Sequence, residues 1–247
     1  MAVLSAACSV HSPAHRVALV ELYSSEGCSS CPPADQWLSQ WKDDGAAHDI
    51  VPLALHVDYW NSLGWTDRFA QHRFAERQQT LTGQAGRHTI YTPEVFVAGR
   101  ELRGWSQPAQ FAARVREVSA QPAGADIALA LTPAAQGFAI EARFGARADA
   151  PAGAPLDAYV AVYENALTSQ VSAGENRGAT LHHDRVVRAW FGPVPLAGGR
   201  AQIRRDFAWS AAHASPAGAG QFGVVAFVEN ASSGEVLQAT DLPAACH

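Results

Sequence analysis

The residue types and spacing most able to do chemistry are Cys28-Ser-Ser-Cys31. A cysteine pair at this spacing can close a disulfide, exchange it with thiols of another protein, or offer soft ligands to a metal. An almost continuous apolar run, residues 16–23, precedes the pair, and Ser24-Ser25-Glu26-Gly27 makes a turn between them. Pro32 and Pro33 follow; proline suits the first turn of a helix because its missing N–H has no intrahelical partner there. Trp37, Leu38 and Trp41 then recur at helical spacing. Cys28 therefore falls at or just before a helix N-terminus, where unpaired N–H groups and the helix dipole favour an anion. That anion is the thiolate, the attacking species in disulfide exchange. Cys28 is the expected nucleophile and Cys31 the resolving thiol. Ser29 and Ser30 carry neither charge nor ring, so they leave the direction of electron flow open.

Other residues with chemical potential gather near the ends of the predicted strands. His56 and Asp58 alternate along the apolar run 50–57 and its exit, so they share a face. If strands 16–23 and 50–57 run parallel, both end at one sheet edge, bringing His56, Asp58, Tyr59 and Trp60 toward Cys28. There they would tune its pKa, bind a metal or form an apolar lip; the plainer alternative is a packed loop held by one His–Asp hydrogen bond. Trp60 and Trp65 lie in the aromatic loop 58–66 and are candidates for substrate binding. Adjacent residues on a strand or extended loop point opposite ways, so His182-His183-Asp184 read as loop or strand-end residues of the C-terminal module rather than as a ligand pair. No second Cys-x-x-Cys completes a zinc site, and no metal or other cofactor is assigned. A copper site of two thiolates with His56 or His88 is the metal alternative.

The elements that must position these groups fall into two series. A helical stretch follows at about 67–84, then a strand and turn at 94–99, a hairpin return at 100–104, and a helix over 107–118 with Phe111, Val115 and Val118 on one face. A Pro-, Gly- and Ala-rich linker spans 119–125. Beyond it, strands are predicted at 126–131, 138–144, 157–163, 185–191, 201–209 and 222–229, a sandwich-like pattern. This divides the chain into an α/β domain over 16–120, with a helical insertion, and an all-β sandwich-like module over 125–247.

Composition narrows the setting. With 247 residues, 48% of them apolar, the chain can bury a sizeable core. Its net charge is −5 with scattered basic residues, which argues against a nucleic-acid face. No apolar run reaches the length of a membrane span. Four cysteines against one methionine suit an oxidising compartment, so a periplasmic or secreted location is expected. The start Met1-Ala-Val-Leu-Ser-Ala-Ala-Cys8 is too short, and lacks the basic residues, for a signal peptide. Cys8 and Cys246 sit near the two ends, and termini often lie close together, so a structural Cys8–Cys246 disulfide is predicted.

Cys-x-x-Cys after one strand and Thr92-Pro93 before another resemble the thioredoxin superfamily over residues 16 to about 118. The resemblance implies a thioredoxin-like N-terminal domain, a cis proline beside the cysteines, and a Thr92 backbone that pairs with extended substrate. It also implies that an acid in the preceding strand, here Glu21, moves protons for the resolving thiol; the alternative for Glu21 is the solvent side of an edge strand. Glu21–Asp35, His56-Val-Asp-Tyr-Trp60, Leu63-Gly-Trp65, Tyr91-Thr-Pro93, Gly174–His183 and Val186-Val-Arg188 together resemble a family of secreted bacterial proteins catalogued as a domain of unknown function, number 1223. Asn61 stands where that family pattern has Asp. The implied function is thiol–disulfide exchange with protein thiols or disulfides as partners. The alternative is a non-catalytic thioredoxin-fold binding protein for a peptide, a partner protein or copper, with an inert disulfide.

Overall fold

The structure, a computed structural model, describes residues 7–209 and 221–245. A short strand β1 (Cys8–His11) leads to β2 (Ala18–Ser24), helix α1 (Pro32–Ser39) and β3 (Ile50–His56). Next come α2 (His72–Gln84), β4 (Glu94–Val97), β5 (Arg100–Glu101) and α3 (Pro108–Ser119). The remaining described chain is strand with connecting turns. It contains β6 (Ala125–Ala134), β7 (Gly137–Ala146), β8 (Leu156–Glu164), β9 (Leu167–Gln170) and β10 (Thr180–His183). It continues through β11 (Val186–Pro195), β12 (Arg200–Ala208), β13 (Phe222–Asn230) and β14 (Val236–Pro243).

One eight-stranded sheet runs in the order β14-β13-β8-β11-β3-β2-β4-β5. β2 and β3 are parallel from Ala18↔Ile50 to Ser24↔His56, so the loops after both strands leave at the same edge. β11 joins the free side of β3, in parallel, at Val186↔Ala54, and the Ala54 N–H donates to the Arg185 carbonyl at 2.9 Å. A second sheet, β1-β6-β7-β12, covers one face of the C-terminal strands, and β9 and β10 form a separate hairpin.

Alternation along the strands explains the two cores. Val160 and Val162 of β8 pack with Ile127, Leu129 and Ile140 of the second sheet. Their neighbours Tyr159, Ala161 and Tyr163 face the opposite core, shared with β2, β3 and the helices. β13 divides in the same way, with Val224, Ala226 and Val228 on one side and Val225 and Phe227 on the other. Such strands read as continuous apolar runs because both faces are buried.

This architecture corrects the expected fold class. It is mostly β, with three α-helices among the described residues, and is not a thioredoxin-like α/β domain followed by a self-contained sandwich-like module. The physical reason lies at β3. Its outer edge would offer unpaired backbone groups, and β11 satisfies them, so strands from both halves of the chain build one sheet. Among the described residues, no helix is long and apolar enough to cross a membrane. Cys8 is buried on β1; Cys246, its predicted partner, lies outside the described residues.

Candidate functional site

The loop after β2 delivers the cysteine pair to the start of α1. The Cys28 N–H donates to the Ser25 carbonyl at 3.1 Å and the Cys31 N–H to the Cys28 carbonyl at 3.2 Å. The Cys31 carbonyl then accepts from Ala34 and Asp35 at 2.8 and 3.1 Å, which makes Cys31 the N-cap residue ahead of Pro32 and Pro33. Cys28 and Cys31 form a disulfide with their Cα atoms 5.4 Å apart, and neither residue is exposed to solvent. The Ser30 hydroxyl lies 3.3 Å from Cys28 Sγ and 3.5 Å from the Thr92 carbonyl. The Thr92–Pro93 peptide bond is cis, and Trp60 Nε1 donates to Thr92 Oγ1 at 2.7 Å.

A segment from the distant C-terminal half roofs this pair. Between β9 and β10 the chain passes over the motif, and the Glu175 carboxylate accepts from Ser29 through its N–H at 3.1 Å and its hydroxyl at 2.7 Å. Asn176 Nδ2 donates to the carbonyls of Glu26 and Cys28, both at 2.9 Å. Gly174 has φ +72°, and a Cβ there would lie 3.1 Å from Trp65 Cβ, so glycine permits the close approach.

Beside the motif lies a buried polar cluster. His56 Nδ1 and Asp67 Oδ2 are 2.6 Å apart, and Asp67 also accepts from the N–H groups of Glu26 and Phe69. His183, from β10, sits between Glu26 at 3.4 Å on Nε2 and Asp35 at 3.5 Å on Nδ1. Trp65 Nε1 donates to Glu26 Oε2 at 2.8 Å. Burial opposes the charge on each of these groups, but their partners outweigh it. The carboxyl of Asp67 is held below its ordinary range by His56 and by two backbone N–H groups, and that of Glu26 by His183, Ser169 and Trp65. Asp35 and Glu26 raise His183 to about 9. Burying this many ionisable groups is costly unless they are paired.

The structure brings Cys28, Cys31, Trp60, Trp65, Thr92, Pro93 and His56 into this one region. Asp58 instead meets His72 Nδ1 at 2.9 Å in a more exposed position, so the histidine–aspartate pair on β3 is His56–Asp67 rather than His56–Asp58. Glu21 is fully buried, but its oxygens are taken up in another network. Arg77 donates to both of them, at 2.6 and 3.2 Å, and also to Glu229 at 2.7 Å. The Tyr23 hydroxyl donates to Glu21 at 3.3 Å. The rings of Tyr159, Trp190 and Phe227 surround the guanidinium at 5.2–5.4 Å, and no described contact links Glu21 to the cysteines. His88 is exposed.

With this geometry in view, comparison with known families matches residues 19–229 to "Protein of unknown function (DUF1223)". The chain belongs to this family. No curated protein matches it. The crystal structure of a protein from Agrobacterium tumefaciens is similar over 94% of this chain and 96% of that one, at 25% identity and a TM-score of 0.69. HBP35 of Porphyromonas gingivalis is similar in fold over 94% of this chain and 76% of its own, at 19% identity and a TM-score of 0.64.

Several residues that build the site in this DUF1223 member carry no local signal of that role. Glu26 and Asp35 flank the cysteine motif and read as ordinary polar loop and helix positions. Asp67 looks like a helix-entry residue, and Glu175 and Asn176 belong to a polar turn. Alternation on β10 is the one available clue for His183: it turns inward while His182 faces out beside Thr168.

Proposed function

We propose that the Cys28–Cys31 pair is a thiol–disulfide exchange couple acting on protein thiols or disulfides in an oxidising compartment. The observation that carries this reading is the placement of the pair at the start of α1, with the Ser30 hydroxyl 3.3 Å from Cys28 Sγ. A Cys28 thiolate there gains a hydroxyl donor as well as the favourable end of the helix dipole. In the oxidising direction, a substrate thiolate attacks one sulfur of the Cys28–Cys31 disulfide and forms a mixed disulfide with Cys28, while Cys31 leaves as a thiolate and takes up a proton. A second substrate thiolate then attacks the substrate sulfur of the mixed disulfide. Cys28 is released as a thiolate, the substrate is oxidised by two electrons and the pair is reduced. The reverse sequence reduces a substrate disulfide. Thr92, Pro93 and Trp60 border the pair and form the edge at which a substrate would lie.

A second reading is favoured by one specific observation: both cysteines are fully buried beneath the 174–178 segment. In that reading the disulfide is structural and the roof seals it. Equilibration in defined thiol–disulfide buffers, with alkylation of the freed thiols, separates the two. Exchange chemistry is supported by reversible reduction of folded protein, with Cys28 alkylated first and at a pH below the ordinary thiol value of about 8.5. A pair that resists reduction until the protein unfolds would refute it in favour of the structural role.

A further inference from the structure

We infer that Asp35, His56 and His183 form a buried binding site for a divalent transition-metal ion of the zinc class. One ligand atom from each lies within 4.8 Å of the others, and all three residues are buried. Bonds of about 2.0 Å to a tetrahedral ion put ligand atoms roughly 3.3 Å apart, so a modest inward closure completes the site. The cluster is more than a set of acids. His56 is wholly buried, its Nδ1 is engaged by Asp67 at 2.6 Å, and its Nε2 has no partner among the described residues. A carboxylate on one imidazole nitrogen, with the other left bare, is the arrangement that orients a histidine for a metal.

Further orphaned atoms gather at the same place. Asp35 Oδ1 is buried without a hydrogen bond, and both ring nitrogens of His183 and Glu26 Oε1 are held only by the long ion-pair contacts of 3.4 and 3.5 Å. The two imidazole rings meet edge to face, with centroids 5.0 Å apart. Polar atoms shut away from water in this number ordinarily have partners, and a single cation would engage several of them together. It would also offset part of the charge of Glu26, Asp35 and Asp67 in a space closed to solvent. Two imidazoles with one carboxylate suit zinc or a similar first-row ion. The cysteine sulfurs are not needed, since they are bonded to each other. The site therefore stands whether or not the disulfide turns over.

The test uses the full chain with its disulfide kept oxidised. Chelator-treated protein is titrated with Co²⁺ and, separately, with Zn²⁺, followed by calorimetry and by the ligand-field absorption of Co²⁺. The expected result is one equivalent bound, a spectrum of nitrogen and oxygen donors without a thiolate charge-transfer band, and a raised Tm. Asp67→Asn should lower affinity about 10- to 100-fold through His56. His183→Ala should lower it further, and His182→Ala, at the exposed neighbour, should leave it unchanged. X-ray absorption on the Co²⁺-loaded wild-type protein, which depends on no variant folding, should show at least two imidazole ligands. Absence of binding, fewer than two imidazoles, or affinity indifferent to Asp67→Asn would overturn the site. So would binding that appears only after reduction, because the metal would then belong to the sulfurs.

Discussion

Replacing Asn176 by alanine tests whether the cysteine pair is gated by a local opening. Its side-chain amide donates to two carbonyls, those of Glu26 and Cys28, and so ties the roof to the motif. Each such bond contributes about 0.5–1.5 kcal/mol, so the variant lowers the cost of lifting the roof by about 1–3 kcal/mol. With about 1.4 kcal/mol per factor of ten, reduction limited by that opening should accelerate about 5- to 150-fold. The assay is the initial rate of reduction by a water-soluble phosphine in native buffer, with liberated thiols trapped as they form. It is repeated across low concentrations of urea. Local opening exposes little surface, so the accelerated rate should be nearly independent of urea. An unchanged rate, or one that climbs with urea as steeply as global unfolding does, would refute the gate and place the disulfide in the permanent core.

Two other measurements probe the buried charges and phenols. Arg77→Met leaves the Glu21 and Glu229 carboxylates buried without their cation, and should cost about 3–5 kcal/mol in urea unfolding. Glu21→Gln should leave the reduction potential of Cys28–Cys31 and the pH profile of its exchange unchanged; a shift in either would show that Glu21 reaches the pair. All five tyrosines are held above their ordinary range, chiefly by burial, with Tyr59 pushed up to about 12. The folded state therefore keeps protons that the unfolded chain releases near pH 10. The tyrosines' contribution to stability should be level below about pH 10 and fall as pH rises beyond it. Tyrosinate absorbance should show at most the partly exposed Tyr91 until unfolding, when it rises abruptly. Smooth ionisation of most tyrosines in folded protein would contradict this.

What could be read from the sequence was local. Pro32 and Pro33 after Cys31 marked the start of α1, and the apolar runs at 16–23 and 50–57 marked β2 and β3, because these signals lie within a few residues of what they specify. The pairing of β11 with β3 depends on an edge that needs covering, and no residue near Val186 or Ala54 announces it. Strands β9 and β10 are short, and although alternation sets His183 apart from His182, only the packing of β10 against α1 shows which of the two faces inward. Glu21 was legible as an acid on a strand, with burial and solvent exposure both open, because its Arg77 partner lies 56 positions away and Glu229 lies beyond β12. Function proved hardest to read where partners meet across the greatest separation.

The roof has a consequence in time. Asn176 follows Cys28 by 148 positions. At a synthesis rate of roughly 5–20 residues per second, that separation corresponds to about 7–30 s. During that interval the two thiols have no cover from the later segment and are open to oxidants, to isomerases and to mispairing. When residues 174–183 arrive, the same step closes the roof and delivers His183. The order of manufacture thus sets pairing before enclosure, and any later exchange at the pair must first lift the roof.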